Sequence, residues 1–290
     1  MVSLSPSTRR KIKQLTDEYI EVSPVRKRAL FDPFLVRGLQ LITLTSVSPT
    51  LNEVVLLAKL YLTTIIILLD DLADHPQHKN SPLLRRLYKI NLFSEHSSLH
   101  SPGDQDSIYE LVCNLFLKLR RSIIDLPHAP VLAPFLEFDI GQFYQANRYS
   151  ELISACPEAA SLIEIQMLGP NNMGITAFGV IDLMASPRLR LDDLGACREV
   201  FTLGQRAGRI SNTIATFARE LSEGDVTNEI IAGARRTSEH AYRGQILREF
   251  DRLIDEIWER GQAQRTFDSQ RYGVGLRELH ELHMAMVGTI

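Results

Sequence analysis

Leu68-Leu69-Asp70-Asp71-Leu72-Ala73-Asp74 decides how this chain is read, because three carboxylates close a stretch, Leu56 to Leu69, whose composition belongs inside a protein. Charge at that point needs a reason. If the stretch is a helix, its C-terminal end carries partial negative charge that disfavours anions. Packing three carboxylates there adds repulsion that a bound cation would remove. A second polar set stands far downstream, where Asn212, Thr216 and Glu220 recur every four residues inside another mostly apolar segment.

Outward from these clusters, apolar residues recur mostly at intervals of three and four, and few alternating runs bounded by turn residues read as strands. The spacing predicts an all-α protein. Helices are expected over about Ser7 to Tyr19, Pro33 to Thr45, Leu51 to Leu72, Ser107 to Ile124, Pro130 to Tyr149, Ala159 to Leu168, Asn172 to Met184, Asp192 to Glu220, Thr227 to Arg236, Ser238 to Gln262 and Gln270 to Met286. Pro49, Pro76 with Pro82, Ser101-Pro102-Gly103, Pro127 with Pro130, Pro157, Gly169-Pro170 and Pro187 mark the breaks. With no long linker and no unit repeated at a fixed period, residues 1–290 are expected to form one domain. Ser94 to Ser107 reads as a surface loop with solvated His96 and His100, and His75 and His78 read as polar loop residues rather than ligands.

Composition narrows the function classes. With 44% hydrophobic residues over 290 positions, the chain can bury a substantial core. A net charge of −3 gives no basic field to draw it to nucleic acid or an anionic membrane. The three cysteines, Cys113, Cys156 and Cys197, are widely spaced, which favours buried free thiols over a zinc site or a disulfide framework. Met1 to Lys13 is polar and basic with no apolar signal core behind it, so the cytoplasm is the expected compartment. Leu51 to Leu69 is the most apolar window, but Asn52, Glu53 and Lys59 interrupt it, and a membrane span needs about 20 predominantly apolar residues. It reads as a buried helix.

Residues four apart on a helix drift only about 40° around the axis, so Asp70 and Asp74 share a face. Asn212, Thr216 and Glu220 likewise form a stripe of hard oxygen donors, suited to magnesium rather than to a thiolate metal. Magnesium keeps several waters and takes few carboxylates plus substrate phosphates, which fits two sparse clusters facing each other. The missing ligands would be a diphosphate. Arg209, one turn before Asn212, and Arg219, directly before Glu220, are placed to clamp such an anion, and Arg271-Tyr272 offers another donor pair.

These residues resemble a known family. Asp70-Asp71-Leu72-Ala73-Asp74 is similar to the aspartate-rich motif of class I terpene synthases, and Asn212 to Glu220 resembles their Asn/Ser/Glu metal motif, including the basic residue before the glutamate. Thr213 stands where the family usually has aspartate, at a position that is not a ligand. The resemblance covers nearly the whole chain and implies a single helical α domain with a central cavity. It implies that Asp70 and Asp74 bind magnesium, three ions in all, from one wall and Asn212, Thr216 and Glu220 from the other. It also implies that Arg209, Arg219, Arg271 and Tyr272 hold the diphosphate of a prenyl substrate. Asp71, about 100° around the helix from Asp70, is open between metal binding and orienting an arginine. Leu168-Gly169-Pro170 resembles the helix break of kaurene-synthase-like diterpene synthases, which points to a C20 substrate, including a bicyclic diphosphate supplied by a separate class II cyclase.

The implied reaction is departure of diphosphate to leave an allylic carbocation, which ends as a hydrocarbon or, if water quenches it, an alcohol. Phe138, Phe143, Phe178 and Phe217 are candidates for the apolar wall, and Asn171 and Asn172 beside the break for holding a quenching water. Alternatives are a sesquiterpene synthase acting on farnesyl diphosphate and a helical interaction protein without turnover. A chain-elongating prenyltransferase would carry a second aspartate-rich motif where this sequence has its Asn/Thr/Glu stripe. The resemblance allows a homodimer, although no exposed stripe marks its interface.

Overall fold

The computed structural model describes residues 4–23, 25–74, 82–93 and 107–288, and for Asp74 the backbone alone. His75, His78, His96, His100 and the expected loop from Ser94 up to residue 106 lie outside that range. Helix α1 spans Pro6–Val22, α2 Val36–Leu41, α3 Asn52–Asp74, α4 Pro82–Leu87, α5 Ser107–Ile123 and α6 Ala129–Ala155. The second half holds α7 Leu162–Leu168, α8 Ile175–Met184, α9 Leu194–Glu223, α10 Glu229–Ala234, α11 Glu239–Gly261 and α12 Ser269–Ala285. Among the described residues there is no strand.

Amphipathic spacing explains the packing. In α5, Leu111, Val112, Leu115, Phe116, Leu119 and Ile123 are buried at intervals of three and four, while Arg120 and Arg121 close the last turn, where cations suit the helix end. Helix α3 packs chiefly on α5 and α6, and α9 on α8, α11 and α12, so α3 and α9 are the two inner walls. By length and composition α3 could cross a membrane, yet 72% of its apolar window is buried inside the protein, which is the property of a core helix. One apolar cluster runs from Ile12 to Leu279 through nearly every helix, with a small satellite of Ile153, Ile165 and Ala232.

Four differences from the sequence reading have local causes. Helix α4 is additional, a single short stretch that Pro82 starts and whose six residues are too few to show a period. The helix expected over Pro33 to Thr45 is a wide turn, Leu30–Leu35, followed by α2, because Asp32 ahead of Pro33 is held extended. The helix expected from Asn172 begins at Ile175 instead; Gly169–Met173 form a tight 3₁₀ stretch ended by Gly174 at φ +66°. Finally, Cys113 and Cys197 are buried thiols, whereas Cys156 is exposed where α6 runs out to solvent.

A buried ion pair ties the centre together. Lys59 of α3 meets Asp182 of α8 at 2.5 Å with both side chains inaccessible to solvent, and the Leu44 backbone N–H also donates to Asp182 at 3.0 Å. Burial pushes the Asp182 carboxyl up, to about 6, against the opposing pull of Lys59.

Candidate active site

Two helix ends bring the polar clusters together. Asp70, on the last turn of α3, lines a cavity of about 180 Å³ that is also lined by Asn212, Thr216 and Glu220 of α9. Arg26, Arg209 and Arg219 line it too, and Leu30, Phe34, Ile66, Ile67 and Phe178 are among its apolar walls. A wider vestibule of about 650 Å³ adjoins it and shares Arg26, Leu30, Thr216, Arg219 and Asp225.

Asp71 turns away from Asp70, as 100° of helix rotation requires. It accepts hydrogen bonds from Tyr19 Oη at 2.8 Å and from Arg26 Nε at 2.9 Å, and so holds the Arg26 guanidinium at the cavity. Of the two roles left open for Asp71, the observed contacts are those of a residue that orients an arginine. Burial, then the neighbouring Asp71 charge, raises the Asp70 pKa above the usual carboxylate range. Asn172 donates to Asp70 Oδ1 at 3.3 Å from the 3₁₀ stretch, so the Gly169-Pro170 break serves to bring an amide to the carboxylate. Gly169 itself approaches Arg209, whose Nε lies 3.4 Å from where a Cβ would stand.

The far wall is held as firmly. Glu220 accepts from Asn228 Nδ2 at 2.6 Å and from Arg219 at 3.3 Å, while Thr216 Oγ1 donates to the Asn212 carbonyl. Beyond α9, Gly224 at φ +71° turns the chain back, and the Asp225 N–H donates to the Glu220 carbonyl at 2.9 Å. The Asp225 side chain thereby enters the cavity lining, fixed by the Thr227 N–H at 2.7 Å and Oγ1 at 2.9 Å. Burial, then the Glu220 charge, raises its pKa. Arg209 is buried and donates to the Thr227 carbonyl at 3.2 Å.

Several expected residues are elsewhere. Arg271 is exposed and paired with Glu278 at 3.3 Å, and Tyr272 is buried against Phe201 and Phe267. Neither lines the cavity, because both sit on the first turn of α12, and Leu279, which does line it, is about 10 Å further along the axis. Phe138 is 58% exposed, Phe143 packs on Tyr144, and Phe217 lies under the Arg243 guanidinium, which leaves Phe178 as the one expected aromatic in the lining. Asn171 accepts from Gln205 at 2.9 Å instead of reaching the cavity. Arg26, Asp225, Asn228, Phe34 and His283 were not anticipated. The Gly-Asp-x-Thr-Asn sequence after α9 is a helix stop followed by a cap and could have placed Asp225 and Asn228; no spacing rule reaches Arg26 from Asp71.

Two solved structures of isoprene synthase from grey poplar leaves (Populus x canescens) superpose on this architecture with TM-scores of 0.68 and 0.67, over 96% and 97% of this chain. The chain has the fold of a terpene synthase. Sequence identity to both is 10%, and the chain spans about half their length, 52% and 54%. The second of them is in complex with three Mg2+ ions and dimethylallyl-S-thiolodiphosphate. No protein-family model matches the sequence, and no curated protein matches it. The terpene synthase fold accounts for the all-helical architecture and does not single out the kaurene-synthase-like diterpene type expected from the helix break.

Proposed function

We propose that this protein is a magnesium-dependent class I terpene synthase that ionises an allylic prenyl diphosphate and releases diphosphate. The observation that carries this reading is that Asp70 of the first cluster, Asn212, Thr216 and Glu220 of the second, and three arginines line one cavity. The residues fit the ions and the anion. Asp70, Asn212, Thr216 and Glu220 offer oxygen donors alone, and the buried atoms Arg209 Nε, Arg219 Nε and Asn172 Oδ1 have no partner within the protein. A phosphate group and hydrated cations would satisfy them. Among the described residues no group of three His, Cys, Asp or Glu side chains is gathered to hold a metal ion. Asp70, Asn212, Thr216 and Glu220 would hold magnesium, with Asp74 joining them on sequence grounds.

Bound magnesium would neutralise charge developing on the departing diphosphate. Arg26, oriented by Asp71 of α3, and Arg209 and Arg219 of α9 supply cations around the same cavity, so little reorganisation would accompany departure. Ile66, Ile67, Phe34 and Phe178 line the cavity and would exclude water from the cation left behind, with the two phenylalanines as the rings within its walls.

The sequence points to a C20 chain, on which reading a separate class II cyclase supplies a bicyclic diphosphate. A second reading is a sesquiterpene synthase acting on farnesyl diphosphate, which the same apolar walls of Ile66, Ile67, Phe34 and Phe178 would also accept. Incubation with magnesium and C5, C10, C15, C20 and bicyclic diphosphates, with diphosphate release and extracted product measured, tests both. Magnesium-dependent release is expected, and the chain length turned over fastest decides between the readings. No release from any substrate overturns the proposal in favour of a helical binding protein.

A further inference from the structure

The cavity lining holds one titratable group that diphosphate departure does not use. His283, on the last turn of α12, lines the cavity together with Phe34, Ile66 and Phe178 and is 5% exposed. Its Nδ1 lies 2.9 Å from the Leu279 carbonyl, which can only accept, so Nδ1 carries the hydrogen and Nε2 the lone pair. The ring stands edge-on to Phe34, with centroids 4.9 Å apart and planes at 86°. Backbone and aromatic partner together fix both the tautomer and the orientation. No carboxylate contacts the ring in these interactions; burial, opposed by the Leu279 bond and aided by His280 one turn earlier, lowers the pKa to about 4. The imidazole is therefore neutral at pH 7, a base held among apolar walls.

We propose that His283 Nε2 is the base that ends the reaction by taking a proton from the carbocation, an inference that rests on the terpene synthase reading. A C–H bond on the carbon next to the cationic centre breaks, its electron pair becomes the π bond of the product, and the proton forms Nε2–H. The resulting imidazolium gives that proton to released diphosphate or to water as the product leaves. A carbocation surrenders a proton to even a weak base, so a feebly basic imidazole suffices, and its weak basicity returns it to the neutral form for the next cycle.

The test is the ratio of hydrocarbon formed to diphosphate released, for the wild type, His283→Phe and His283→Asn with whichever substrate is turned over best. His283→Phe keeps an aromatic ring against Phe34, and His283→Asn serves if that variant does not fold. The ratio is taken per turnover, so loss of folded protein alone leaves it unmoved. Removing a positioned base is worth ~10² or more, and the ratio for the wild-type hydrocarbon is expected to fall at least about tenfold as alcohol or a different alkene replaces it. Unchanged hydrocarbon proportions in the variants overturn the assignment of His283 and leave the enzyme reading intact. A wild-type protein that yields only alcohol also overturns it, whereas absence of diphosphate release from the wild type overturns both.

Discussion

Glu220 illustrates how folding fixes the carboxylate that the proposed function gives to a magnesium ion. One oxygen is fixed by Asn228 at 2.6 Å, and Arg219 at 3.3 Å meets the other, so the group is oriented before any ligand arrives. A partner of this kind typically carries 10- to 100-fold in metal affinity, and Asn228→Ala is expected to weaken apparent magnesium affinity by about that range. The measurement is the magnesium dependence of diphosphate release, with thermal melting as a check on folding because Asn228 also caps α10. The opposite outcome is expected for the pair excluded from the cavity. Arg271→Ala removes an exposed ion pair worth at most about 1 kcal/mol, and Tyr272→Phe removes a buried hydroxyl that has no partner. Both variants should retain wild-type kcat and KM; a tenfold loss in either would return that residue to the site. The two polar clusters were legible because their spacing is a property of one helix each. Arg26 and Asp225 were not, because one is placed by a tertiary contact with Asp71 and the other by the turn after α9.

At the scale of elements, the break between α7 and α8 shows both what sequence reveals and what it hides. Gly169-Pro170 announces an interruption, as proline and glycine do, but the five residues of 3₁₀ turn and the left-handed residue that ends them follow from packing on α9 and α6, with α3 beside Gly174. Gly174 adopts φ +66°, and a Cβ there would stand 2.5 Å from Ile66 Cδ1, the side chain one turn before Asp70 on the same wall. Gly174→Ala therefore combines backbone strain with a clash against a cavity residue, and a loss of about 1–3 kcal/mol is expected, read as a lower denaturant midpoint at unchanged m-value. Because Asn172 reaches Asp70 from the same turn, magnesium affinity should fall as well. A stability change alone, with magnesium affinity intact, would show that the turn supports the bundle without positioning the site. Five helix starts follow their caps: Ser5, Ser161, Asn228, Ser238 and Asp268 each accept from a first-turn N–H.

For the molecule as a whole, the price of a cavity set between buried helices is a set of ionisable groups that folding holds in unfavourable environments. The all-helical architecture was legible because three- and four-residue spacing persists through both halves of the chain, whereas the junction of α12 with the Leu30–Leu35 turn, which seats His283 on Phe34, leaves no local signature. His283 makes this measurable. Its pKa falls from the ordinary 6.5 to about 4 on folding, so between those values the unfolded chain binds the proton and the folded protein does not. Stability must then rise with pH from about 4 to about 6.5, and this contribution disappears below about 4, where both states are protonated at this position. The difference amounts to at most about 3 kcal/mol at 1.36 kcal/mol for each pKa unit. Denaturant midpoints for the wild type at pH 4.5, 5.5, 6.5 and 7.5 should climb across the first three and level between the last two, apart from the slope contributed by carboxylates. His283→Phe removes the group, so subtracting its profile cancels that slope and leaves the contribution of His283. A difference profile that stays flat from pH 4.5 to 7.5 would mean that the imidazole reaches water in the folded protein, contrary to its enclosure against Phe34.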